Sequence, residues 1–106
     1  MALEAGENLS GKKPPAFAYD EKTFPELKRS LARTIRYLKT IHPKDIAKNE
    51  NKKVQTFLRP KKKFLARQYV LTLALPNFFF HVTTTYDILR HLGMPLKKQD
   101  YLGESL

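Results

Sequence analysis

The sequence has no cysteine among its 106 residues, which excludes a disulfide scaffold, a thiolate nucleophile and any cysteine-ligated zinc or iron–sulfur site. With no thiol, the chain has no redox chemistry of its own. Histidine is scarce as well, with three copies available as metal ligands. Acidic residues are outnumbered two to one: 10 Asp and Glu face 20 Lys and Arg, a formal charge of +10. That balance favours anionic partners without choosing among them. Long apolar runs are missing too. The longest, residues 69–82, is interrupted by Thr72, Pro76, Asn77 and His81 and falls short of the ~18 residues that span a bilayer. The opening residues MALEAGENLSGKK carry Glu4 and Glu7 and no apolar stretch of secretory length, so a cytoplasmic protein with no membrane partner is expected.

What is present suits one small domain over residues 1–106, since 42% of the chain is apolar, the usual share for a globular protein. Residues 1–20 hold Gly6, Gly11, Pro14 and Pro15 without apolar periodicity and read as an irregular lead-in. Thr23-Phe24-Pro25-Glu26 then reads as a helix start, with a capping residue, proline in the first turn and a carboxylate three positions on. Phe24, Leu27, Leu31, Ile35, Leu38 and Ile41 recur at helical spacing, with Lys28, Arg29, Arg33, Arg36 and Lys39 opposite, and Pro43 predicts a stop at His42. Residues 44–67 read as a short hairpin or extended loop with a turn at Arg59-Pro60. Residues 68–75 suit a helix that breaks or kinks at Pro76, with Asn77 as cap of the next one. That next helix carries a second stripe, Phe78, Val82, Thr85, Ile88, Leu89 and Leu92, and stops at Gly93.

The block PNFFFHVTTTYDILRHLGMPLKKQDYLG, residues 76–103, is the most specific part of the sequence. It resembles the C-terminal signature of an uncharacterised family in the DinB/YfiT-like helix-bundle superfamily, approximately PNFyFHvTTaYaiLRhxGvPLGKrDFLG. The resemblance continues more weakly upstream through FAYDEKTFPELKRSLARTIRYLKTI and LARQYVLTLALPNF. It implies an all-α, DinB-like four-helix bundle, with the first helices of the family preceding the segment that matches this chain. The expectation is therefore a bundle incomplete at its N-terminus, as a truncated gene model or a fragment would give. The resemblance implies no established reaction and assigns no enzyme activity. Metal-binding branches of the superfamily place an HxxxH pair on the last helix, whereas this sequence has His81 followed by Thr85. His91 is ten residues on, about 15 Å along the helix and far from one coordination sphere. No metal and no cofactor are expected. The family's Gly-Lys pair is Lys97-Lys98 here.

The leading functional reading is binding of a small molecule in a pocket between helices, near Asn77, His81, Thr85 and Tyr86, where polar groups interrupt an apolar wall. Its bland counterparts are a buried, hydrogen-bonded imidazole at His81, a Tyr86 ring that merely packs, and a solvent-facing pair at Asp87 and His91. The rival reading is a nucleic-acid-binding module built on Lys52, Lys53, Arg59, Lys61, Lys62, Lys63 and Arg67, seven cations in residues 51–70 without an acid. The counterpart there is a solvated loop that keeps a sticky hairpin soluble. Phe78, Phe79 and Phe80 point about 100° apart on a helix and cannot form a stacking platform. The two apolar stripes are expected to cover one another, leaving Phe79 and Phe80 to drive self-association into a homodimer.

Overall fold

Residues 2–10 form a helix, α1 (Ala2–Ser10), in a computed structural model that describes residues 1–16 and 18–103. This corrects the irregular lead-in expected over residues 1–20, of which Phe17 lies outside the described residues. The buried face of α1 is Leu3, Gly6 and Ser10, so two of its three positions are small rather than apolar and leave no hydrophobic periodicity. Gly6 is there for proximity: a Cβ at this position would sit 2.8 Å from Tyr37 Cε1 and 3.0 Å from Ile41 Cδ1. Ser10 Oγ donates to Gly6 O at 2.6 Å, and the Tyr37 hydroxyl donates to Lys12 O at 2.7 Å. Tyr37 is thereby pinned against α1, and burial raises its phenol pKa.

The second helix, α2 (Phe24–Leu38), starts as its sequence dictates. Glu26 Oε2 accepts the Thr23 N–H at 2.9 Å, and Thr23 Oγ1 accepts the Glu26 N–H at 3.4 Å. It ends at Leu38 rather than at His42, because the Thr40 and Ile41 N–H groups bond three residues back and tighten the last turn. Pro43, expected only to end a helix, opens another: α3 (Pro43–Lys48), with Asp45 Oδ2 accepting the His42 N–H at 3.0 Å.

A hairpin follows, β1 (Lys53–Thr56) antiparallel to β2 (Arg59–Leu65), pairing Val54 with Phe64 and Gln55 with Lys63. Its turn is at Phe57 and Leu58, and Arg59 and Pro60 belong to β2 rather than to the expected turn. The chain then runs through α4 (Ala66–Tyr69), a π-helical turn at Val70–Ala74, α5 (Leu75–His91) and α6 (Lys98–Leu102). No break occurs at Pro76. The ring of a proline clashes with the carbonyl four residues back, and widening the preceding turn, where the Leu75 N–H reaches Val70 O, relieves it. Asn77 consequently lies inside a continuous helical run and caps nothing. The stop at Gly93 is as expected, at φ 87° with the Met94 N–H on Leu89 O. Lys97, where the family signature has glycine, sits at φ −115°, open to any side chain.

The architecture is mostly helical with one two-stranded sheet, and it is not a plain all-α four-helix bundle. Its core is Val54, Ala66 and Tyr69, flanked by Ala5, Leu9, Phe64, Val70, Leu73 and Ala74. Asn8 hydrogen-bonds the buried Tyr69 and donates to Gln55 O, while Glu4 Oε1 accepts the Phe57 N–H at 2.8 Å. The two long stripes do not cover one another. Phe24 is 80% exposed, Leu31 55%, Ile88 55% and Leu92 72%. The whole surface is 8660 Å², against about 6,100 Å² for a compact protein of 12.3 kDa. The radius of gyration, 15.8 Å, likewise exceeds the about 13 Å of a compact domain of this length.

Two outcomes follow from the seat of α1. Gly6→Val forces its branches into the pinned Tyr37 ring and should cost about 1–3 kcal/mol, read as a lower melting temperature by circular dichroism. Asp45 is held below the ordinary aspartate pKa, first by the His42 N–H and then by Lys12, whose Nζ lies 2.9 Å from Oδ2. A carboxyl lowered by folding stabilises above its unfolded pKa and loses that contribution as pH falls through its folded value. Melting temperature should therefore drop below about pH 4, and Asp45→Asn should flatten that drop. An unchanged slope in the variant would contradict the role given to this carboxylate.

Candidate functional site

Asn77, His81 and Thr85 follow one another at four-residue steps, so α5 presents them along one side. The structure brings His81 and Thr85 together with Met1, Phe78 and Val82 around a cleft of ≈ 330 Å³. Asn77 stands beside it, its Nδ2 donating to Met1 Sδ. The cleft therefore lies where the start of α1 meets α5. Thr85 Oγ1 donates to His81 O at 2.8 Å, which spends its proton and leaves its lone pairs to accept. His81 is exposed, in edge contact with Phe80 at 5.4 Å between ring centroids. The buried, hydrogen-bonded imidazole is thus not what α5 carries.

Tyr86 is not part of this cleft. Its ring packs edge-on against Tyr101 of α6 at 5.6 Å, Arg90 lies over it at 5.6 Å, and Thr83 Oγ1 is 3.1 Å from the Tyr101 hydroxyl. The bland reading of Tyr86, a packing ring, describes its place.

Sequence reasoning missed a second cleft, of ≈ 350 Å³, among Leu9, Ile46, Ala66, Val70 and Leu71, with Glu50 and Arg67 also on its lining. Its walls come from α1, α3, α4 and the π-helical turn. The first two were read as irregular chain, so no pattern could have announced it.

The seven cations of the rival reading all reach solvent. Lys52 and Lys53 lead into β1, Arg59, Lys61, Lys62 and Lys63 lie on β2, and Arg67 is in α4. Strand alternation sends Lys61 and Lys63 to one face and Lys62 to the other, where its Nζ sits 5.0 Å from the Phe64 ring centroid. The charge is concentrated in one hairpin but divided between its two faces.

Comparison with known proteins decides the family. A family model described as a domain of unknown function (DUF1993) matches residues 1–102. The chain belongs to the DUF1993 family. The DUF1993 chain is also similar to a solved DinB family member protein from Shewanella denitrificans, at 30% identity and a TM-score of 0.82 over 95% of its length. It spans 58% of that solved chain. No curated protein matches. The DinB-like fold inferred from residues 76–103 is therefore the fold of this chain.

The metal-binding branches of the superfamily raise the question of a metal at His81. The residues do not fit one. Thr85 occupies the next helical turn, His42 precedes α3, His91 ends α5, and among the described residues no three His, Asp or Glu side chains gather into a ligand set. A lone imidazole does not hold zinc or nickel tightly at neutral pH. Elemental analysis of the purified protein should find well under one metal per chain. One tightly bound metal per chain, lost on His81→Ala, would overturn this assignment.

Proposed function

We propose that this DUF1993 protein binds a small, mostly apolar molecule carrying one hydrogen-bonding group in the cleft of Phe78, His81, Val82 and Thr85. The supporting observation is the lining itself. Phe78 and Val82 supply an apolar wall, while His81 and the acceptor side of the Thr85 hydroxyl are the polar groups on it. Asn77 adds a carboxamide at the edge, and Tyr86 contributes only by bracing α5 against α6. The cytoplasm is the compartment this reading assumes, and no reaction is included in it.

The test is a fragment set of small aromatic alcohols and amides, followed by amide chemical shifts of the labelled chain. Binding should shift His81, Val82 and Thr85, and His81→Ala should weaken it about tenfold, the loss of a hydrogen bond worth ~1.4 kcal/mol. Fragments that shift only residues of the Leu9 and Ile46 cleft, or shift nothing, would contradict the proposal.

A second reading keeps the basic hairpin as a nucleic-acid contact. It rests on seven exposed cations, none of them in an ion pair among the described residues. Binding to a generic duplex should then weaken steeply with salt, and replacing Lys61, Lys62 and Lys63 with Gln should reduce the log–log slope by about 2.7. No binding at low salt would end this reading.

A further inference from the structure

Two helix faces in this chain are apolar, long and uncovered. On α2, Phe24, Leu27, Leu31, Ile35 and Leu38 stand at alternating three- and four-residue steps, all exposed. Along α5, Phe78, Phe79, Phe80 and Ile88 are exposed, with Leu92 just past its end. The surface exceeds that of a compact protein of this mass by about 2,500 Å², whereas one partner in an ordinary protein interface gives up about 800 Å². The excess is too large for a scattering of surface leucines.

We infer that the exposed stripes of α2 and α5 are docking faces for a pair of amphipathic helices with acidic rims, equivalent to the part of the Shewanella denitrificans chain that lies outside the match. Three observations carry this. Apolar side chains spaced every three and four residues form ridges, and the surface that interdigitates with such ridges is another helix. The chain superposes on its solved relative at a TM-score of 0.82 but spans 58% of it, so these elements hold their positions in a chain with more protein to pack on them. The charge beside the α2 stripe selects the sign of the partner. Lys28, Arg29, Arg36 and Lys39 line that helix, and its one acid, Glu26, is engaged in the capping box. A second copy would set a +10 chain against another +10 chain, whereas helices rimmed with Asp and Glu gain from the same contact.

The test co-expresses this 106-residue chain with the segment of the Shewanella denitrificans protein outside the match. Light scattering on the co-purified material should give a 1:1 complex, and dye fluorescence reporting exposed apolar surface should fall at least fivefold relative to the chain alone. Leu31→Asp and Ile88→Asp change side chains that are each 55% exposed, so the chain keeps its own packing while each variant weakens the complex at least tenfold. Helicity of the variants measured alone checks that the packing is kept. A homodimer of the 106-residue chain that excludes the segment would overturn the inference, as would no complex or a complex indifferent to both substitutions.

Discussion

Helix α1 is the element against which α2, α3 and β1 pack, and its seat depends on the absence of a side chain at Gly6. That absence lets α1 settle onto the Tyr37 ring, which the Lys12 carbonyl holds in place. From the same helix, Glu4 and Asn8 reach the hairpin backbone, and the carbonyl of Ser10 accepts from Asn49 at 3.0 Å just beyond α3. A nine-residue helix would be marginal alone in water, so these contacts hold it as much as it holds them.

Burial stops where the reach of α1 stops. The Val54, Ala66 and Tyr69 cluster lies under it, and the C-terminal end of α2 rests on it. Most of the α2 stripe and the length of α5 lie beyond, and no other element of the chain covers them. The cleft at His81 and Thr85 follows from this geometry: it is the notch between the start of α1 and the uncovered side of α5. Ligand binding there and coverage of the helix faces are therefore adjacent properties of one incompletely clothed surface.

Strong, local signals were legible in the sequence. The capping box at Thr23, the stop at Gly93 and the residue 76–103 signature each need only a few neighbouring residues, and each stands where it was expected. Signals that depend on distant partners were not. The buried face of α1 uses Gly6 and Ser10, whose value lies in what they allow Tyr37 to approach, and α3 is too short for periodicity to show. At Pro76 the local rule was right about the clash and wrong about the remedy, since a π-helical turn absorbed it without a break. At the candidate site, His81 and Thr85 came together as their spacing required, whereas Tyr86 turned toward Tyr101, a contact between helices that spacing along α5 does not encode.

The central claim is that packing in this chain is concentrated around α1, the hairpin and α4, with α2 and α5 presenting apolar faces to something outside it. Native-state hydrogen exchange on the isolated chain measures this most directly, because protection tracks local burial and packing. The slowest amides should lie in residues 54–56 and 64–69, with α5 beyond Phe78 and the first half of α2 exchanging much faster. Slow exchange along α5 and the first half of α2, equal to that around Tyr69, would contradict the account.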